Sequence, residues 1–300
     1  MKKIIVTGAT SMLGVALIKK CIENKVQVTA LVRRNSSKIK RLPNSPLISI
    51  LECDLDELSN IFFDVCDYDT FYHLGWTNTQ KQDRMNAQLQ SINIKYTLDA
   101  IDLAKRAGCS KFIGAGSQAE YGIHTTKETS PDSPVNPQTA YGIAKYAAGK
   151  LGELKAKSLD IKDFFWVRIF SVYGFYDTPN SIISMTIAKL KNGEHCSFTN
   201  AEHQWDFLFS EDAGTALCLI GKKSKGYKVY CLGAGHSAPL KWYLEVVRNT
   251  VSPNSILGIG EIPSNANNTQ GMCANTQSLV NDIGEYAITT FEQGIKELAL

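Results

Sequence analysis

The chain has 300 residues, 44% of them hydrophobic and 20% charged, with a formal net charge of +3. That is ample apolar material for one large core, or a core plus a small second unit, and too little charge for a disordered chain. The slight positive balance suits an anionic small molecule, falls well short of a nucleic-acid footprint, and leaves no stretch near the ~20 apolar residues of a membrane span.

Met1-Lys2-Lys3 is followed by only Ile4, Ile5 and Val6 before Thr7-Gly8 breaks the run. No signal-peptide core is present, so a cytoplasmic location is expected. The eight cysteines form no CxxC pair and no zinc-like spacing, and they read as buried free thiols. His124, His195 and His203 have no ligand spacing between them, so no metal is expected. His73, closing a buried run, reads as structural.

Taken in order, the first half alternates short apolar runs with amphipathic stretches, as a parallel sheet wrapped by helices requires. Strands are predicted at 3–7, 26–32, 47–53, 70–74, 111–116 and 162–170. A helix is predicted at 13–24, with Leu13, Ala16, Leu17, Cys21 and Ile22 on one face. Further helices are predicted at 84–107, stopping at Gly108, and at 139–158. After Tyr173-Gly174 short strands and helices mix, and 251–275 is rich in Asn, Ser, Gly and Pro. Residues 227–232 are apolar enough to return to the main sheet.

The first strand runs into Gly8-Ala9-Thr10-Ser11-Met12-Leu13-Gly14 and then a helix. Small residues let the backbone approach a pyrophosphate, and free N–H groups at a helix start point at the anion. The second strand ends Val32-Arg33-Arg34, where folds that choose NAD place a carboxylate. Arginine there matches a 2′-phosphate in charge and fork geometry, which favours NADP(H) over NAD(H). The alternative is a solvated basic loop, since Lys38, Lys40 and Arg41 follow.

Tyr141 and Lys145 stand four apart on a predicted helix and share a face. A nearby cation lowers a phenol's pKa, so Tyr141 can exchange a proton with a sugar hydroxyl while hydride moves. Ser117 ends the fifth strand, the edge where doubly wound folds hold ligands, and can hydrogen-bond the same oxygen.

With these landmarks the sequence resembles the extended short-chain dehydrogenase/reductases, the NAD-dependent epimerase/dehydratase family. That group holds UDP-galactose 4-epimerase, sugar-nucleotide 4,6-dehydratases and deoxysugar 4-ketoreductases. The likeness covers nearly the whole chain. It also rests on Cys53-Asp54-Leu55, Tyr72-His73-Leu74-Gly75, Asn93, Tyr121-Gly122, the run from Val167 to Gly174, and Gln204-Trp205-Asp206-Phe207. It implies a Rossmann-type α/β doubly wound parallel sheet with a smaller, discontinuous α+β substrate lobe. Residues 1–172 would bind the dinucleotide, with 204–232 returning in part, and 173–203 and 233–300 would form the lobe. By the resemblance, Asp54 and Leu55 flank the adenine, Leu74, Gly75 and Trp76 line the cofactor path, and Phe170 joins them. Asn93 would support the lysine region, and Trp76, Gln118, Ser171 and Trp205 would face substrate.

The departures carry information. The 4,6-dehydratases have an Asp-Glu pair where this chain has Gln118 and Ala119, so ordinary dehydration is not expected. A diphosphate-binding arginine is replaced by Trp205, which either stacks on a base or ribose or packs the lobe interface. Trp76 is likewise a pocket wall or a packing residue. Three functions compete: an NADPH-dependent 4-ketoreductase acting on a sugar nucleotide, placed first; a sugar-nucleotide 4-epimerase with retained NAD; and a non-catalytic dinucleotide-binding sensor. A homodimer paired through the helices at 84–107 and 139–158 is expected from the same resemblance.

Overall fold

Ile4, Ile5 and Val6 are fully buried, and the run that holds them becomes the centre of a parallel sheet. The structure, a computed structural model, describes residues 1–123, 128–263 and 273–300; His124 and part of 251–275 lie outside the described residues. Strand β1 (Lys3–Thr7) leads into helix α1 (Met12–Glu23). Then come β2 (Gln27–Val32), β3 (Ile48–Glu52), β4 (Thr70–His73), α2 (Ala87–Arg106), β5 (Lys111–Ser117), α3 (Ala140–Ser158) and β6 (Asp163–Ile169). Past these lie β7 (Ser171–Tyr173), α4 (Ile182–Lys191), β8 (Cys196–Phe198), β9 (Gln204–Trp205), β10 (Phe207–Phe209) and α5 (Ser210–Lys223). The chain continues through β11 (Tyr227–Leu232), β12 (Ala238–Pro239), α6 (Leu240–Val251), β13 (Leu257–Ile259), α7 (Gln277–Ile283) and α8 (Phe291–Ala299).

Seven strands form one sheet in the order β11-β6-β5-β4-β1-β2-β3, every neighbouring pair parallel. Parallel pairing forces a crossover between strands, and the helices supply it. The strand order reverses between β1 and β4. In open α/β sheets a crevice opens at such a point, beyond the carboxyl ends of the strands. Thr7, His73 and Ser117 end β1, β4 and β5 at that edge.

Each face of the sheet is covered. One carries Leu17, Ile18, Ala213, Leu217 and Leu279 from α1, α5 and α7. The other carries Ala100, Leu103, Ala104 and Ala148 from α2 and α3. Helix α3 comes close because Gly149 has no side chain: a Cβ there would sit 2.8 Å from the Trp166 ring. Helix α2 starts three residues later than the pattern of apolar residues suggests. Asn86 accepts the Leu89 N–H at 3.0 Å and caps it, and Lys81–Met85 form a 3-10 turn instead.

A separate aromatic core gathers Tyr173, Phe207, Phe209, Tyr243 and Phe291, with short strand pairs β10–β7, β13–β8 and β12–β9 around it. The buried Asp206 carboxylate accepts backbone N–H groups from Ala234, Gly235 and Ala274, tying the exit of β11 to this unit. Among the described residues, no helix is long and apolar enough to cross a membrane.

Candidate active site

The turn between β1 and α1 is built for close approach of another chain of atoms. Gly8 has φ +66°, and a Cβ there would lie 2.7 Å from the Gly75 nitrogen. A Cβ on Gly14 would lie 2.3 Å from the Gly8 carbonyl oxygen. Ser11 caps α1: its Oγ accepts the Gly14 N–H at 3.1 Å, and its own N–H donates to the Gly8 carbonyl. Its hydroxyl proton is still available to a phosphate. The Met12 and Leu13 N–H groups precede the first helical bond, which Val15 donates to the Ser11 carbonyl, so they stay free to meet an anion. Arg41 donates to the Thr10 carbonyl at 3.4 Å beside them. Glycines packed against backbone and free first-turn N–H groups fit the pyrophosphate of a dinucleotide.

Leu55 reaches the same place, its Cδ2 3.1 Å from where a Gly75 Cβ would be. Leu74 is held by its N–H on the Thr7 carbonyl, and Gly75 by its N–H on Thr7 Oγ1. His73 Nδ1 lies 2.9 Å from that hydroxyl, and burial, with Lys145 nearby, pushes the imidazole down to about 3. A neutral His73 therefore pins the turn after β4. Past β2, Arg33, Arg34, Ser36, Ser37, Lys38 and Asp54 line an open polar recess of about 350 Å³. Arg34 is engaged there, with Nη2 at 2.8 Å and Nε at 3.2 Å from the Glu57 carboxylate. Arg33 carries no such bond among the described residues.

Ser117 is close enough to the half-buried Tyr141 to favour its ionisation. Lys145 makes no hydrogen bond to the phenol among the described residues. Its Nζ donates to the Ala115 carbonyl at 2.6 Å, lies 3.7 Å from the centre of the Trp76 ring, and stands 5.9 Å from that of Tyr141. Burial pushes this amine down to about 7, partly opposed by Glu120. Burial likewise holds the Tyr141 phenol above its usual 10, and Ser117 and Arg84 offset only part of that. The acid shift expected from spacing is thus reversed, because desolvation outweighs the neighbouring positive charge.

Two groups escaped the sequence reading. Glu120 is fully buried beneath Ser117. Its carboxylate accepts the Ser117 N–H at 2.8 Å, the Trp166 indole N–H at 2.9 Å and Arg168 Nε at 2.7 Å. The signal was present: Ser117 and Glu120 form a capping box, a Ser-x-x-Glu pattern. Arg84 was read as the start of a helix, yet its guanidinium carbon lies 5.1 Å from the centre of the Tyr141 ring.

The sequence profile of the NAD dependent epimerase/dehydratase family matches residues 4–233. The chain belongs to that family. Among relatives, CDP-abequose synthase of Salmonella muenchen is 23% identical, over 99% of this chain and 97% of its own length. Among solved structures, UDP-N-acetylglucosamine 4-epimerase from Methanobrevibacter ruminantium, in complex with UDP-N-acetylmuramic acid, superposes with a TM-score of 0.88. It is 20% identical, with 99% of this chain and 97% of that one covered. UDP-glucuronic acid 4-epimerase from Bacillus cereus, in complex with NAD, gives a TM-score of 0.83 at 18% identity, with 98% and 94% covered. These likenesses carry the fold: a seven-stranded parallel sheet with flanking helices.

The remaining positions of this epimerase/dehydratase-family enzyme divide. Asn93 is not bonded to Lys145. Its Oδ1 takes the Thr77 N–H at 2.8 Å, so it fixes the turn that carries Trp76, whose indole donates to Gln90. Lys145 rests on that indole, so any help from Asn93 is routed through Trp76. Phe170 packs on Tyr121 with ring centres 6.3 Å apart, in a small cluster with Cys231 and Ala274 that Trp205 also touches. Trp205 stacks on Phe207 at 5.6 Å, as a packing residue would, yet its buried indole N–H has no partner among the described residues. Gln118 Oε1, beside Ser117, is a buried acceptor in the same condition. Ser171 opens β7, half-buried. Asp54 N-caps the 3-10 turn Leu55–Asn60 through a capping box with Glu57.

Proposed function

We propose that this enzyme is an NADP(H)-dependent oxidoreductase that reduces a 4-keto sugar nucleotide. One observation carries the reading: Tyr141 comes close to Ser117, at the carboxyl end of β5, and stands one helical turn from Lys145, and burial further favours its neutral phenol. A ketone being reduced needs a proton donor at its oxygen, and a protonated phenol is that donor. The nicotinamide, when bound, supplies hydride. Tyr141 gives its proton to the developing alkoxide, Ser117 donates a hydrogen bond to the same oxygen, and Lys145 would hold the nicotinamide ribose. Gln118 and Ala119 offer no acid/base pair for removing water, which turns the reading away from dehydration. Gln118 and Trp205, with unpaired polar atoms, are the proposed sugar-nucleotide contacts along with Trp76 and Ser171. A homodimer through α2 and α3 is supported by exposed Leu89, Ile92, Ile143, Leu151 and Leu154.

The cofactor preference rests on Arg33 in the polar recess at the end of β2. A charge-assisted hydrogen bond to a 2′-phosphate is worth ~1.5–3 kcal/mol, so NADPH should bind about 10–100-fold tighter than NADH. Arg33→Ala should erase that margin in a fluorescence titration. Equal affinities in the parent protein would overturn the preference.

A second reading, a 4-epimerase with retained NAD, is favoured by the Arg34–Glu57 pairing, which withdraws one of the two arginines from a 2′-phosphate. Mass spectrometry of nucleotide released from the purified protein separates the two. Stoichiometric NAD supports the epimerase; a site that empties on purification and refills with NADPH supports the reductase.

A further inference from the structure

Lys145 is bound to the Ala115 carbonyl and seated on Trp76, with its Nζ 5.9 Å from the Tyr141 ring centre. A second cation comes closer to that ring. Arg84, in the 3-10 turn Lys81–Met85, is exposed and reaches it from the solvent side. Its guanidinium carbon stands 5.1 Å from the Tyr141 ring centre, and its Nε donates to the Thr79 carbonyl at 3.2 Å, which fixes its direction. Trp76 meets the same ring edge-on, with centres 6.0 Å apart and planes at 83°. We propose that Arg84 is a positioning residue for Tyr141, holding a permanent positive charge over the phenol face so that the phenolate is stabilised from the solvent side.

The physical argument is one of differential interaction. A guanidinium over an aromatic face is attracted to the ring quadrupole, and far more strongly to a ring carrying a full negative charge. The other groups around Tyr141 do not duplicate this charge. Ser117 is neutral, the Glu120 carboxylate opposes ionisation of the phenol, and burial lowers the Lys145 amine, so it holds its proton less firmly than a guanidinium. Arginine keeps its charge throughout this range. The inference deepens the proposed function, since it concerns the proton step of that same site. When hydride leaves the sugar carbon for the nicotinamide, the hydroxyl proton passes to the Tyr141 phenolate; in the opposite direction the phenol returns it.

The test reads the charge state of Tyr141 directly. Protein containing 3,5-difluorotyrosine, whose phenol titrates nearer neutrality, is followed by fluorine NMR, with the Tyr141→Phe protein identifying the signal. Arg84→Gln should raise the Tyr141 pKa by about half a pH unit or more at low salt, and Arg84→Lys should restore most of the difference. The acidic limb of kcat/KM in the oxidative direction, set by ionisation of Tyr141, should move the same way, which a purely structural role would not produce. Identical titrations in all three proteins would overturn the proposal. So would an equal shift in Arg84→Gln and Arg84→Lys, because then packing rather than charge is at work. The titration needs no turnover. A fully active Tyr141→Phe enzyme would defeat the proposed function while leaving the Arg84 effect to be judged on its own.

Discussion

Tyr141→Phe should lower kcat by about 10²–10⁴-fold while cofactor affinity stays within a factor of about two, the range that loss of general acid–base assistance produces. Only the phenol oxygen is removed. The ring keeps its edge contact with Trp76, so the fold around it is undisturbed. The sign of the pH dependence follows from the role. In reduction Tyr141 must be protonated, so activity is present below its pKa and is lost as pH rises through it. In the oxidative direction the dependence inverts. Burial raises this pKa, which places the loss of reductive activity on the alkaline side. Lys145→Met should damage both turnover and cofactor binding, because the proposed role of the amine includes holding the nicotinamide ribose. Steady-state kinetics with a separate cofactor titration checks both, and a Tyr141→Phe enzyme with near-parental kcat on its true substrate would refute the assignment.

The second large effect lies beneath the site. Glu120→Ala leaves Arg168, itself only 3% exposed, without its carboxylate, and it strips the acceptor from the Ser117 N–H and the Trp166 indole. Removing one partner of a buried ion pair costs about 3–5 kcal/mol, so Tm should fall by about 5–8 °C in a chain of this size. Arg168 keeps only its bonds to the Tyr121 hydroxyl and the Pro131 carbonyl, neither of which is charged. Glu120→Leu combined with Arg168→Met should recover much of the lost stability, because no unpaired charge then remains. Turnover should not recover in parallel, since Ser117 still lacks its anchor. Differential scanning calorimetry on the three proteins decides the point. A Glu120→Ala protein melting within about 2 °C of the parent would show that water, not Glu120, solvates Arg168.

What could be read from the sequence was local. The run Lys3–Thr7, the two glycines at 8 and 14, and the helix that follows are signals confined to a few neighbours, and the structure packs them as that pattern requires. The helical spacing of Tyr141 and Lys145 likewise put both on one element. What could not be read was long-range. Glu120 and Arg168 are 48 residues apart, and nothing along the chain pairs them until β5 and β6 lie side by side. Arg84 faces Tyr141 only because Asn86 caps α2 and turns the preceding segment out of the helix. The direction of the Tyr141 shift was missed for a related reason. Spacing shows which charges are near, whereas desolvation depends on everything packed around the group, and here burial is the larger effect. Trp205 had two readings, and the structure shows the packing contact: the ring stacks on Phe207, while the buried indole N–H has no partner among the described residues.

The proposed transfer of hydride from NADPH to a sugar nucleotide is tested most directly by a reduction assay. Purified protein is mixed with NADPH and a panel of dTDP-, CDP- and UDP-linked 4-keto-6-deoxy sugars, while nicotinamide absorbance and product mass are followed together. One member of the panel should consume NADPH one-for-one and gain two hydrogens. Conversion of a 4-hydroxy sugar nucleotide into its epimer by the protein as purified, with NADPH untouched throughout the panel, would contradict it.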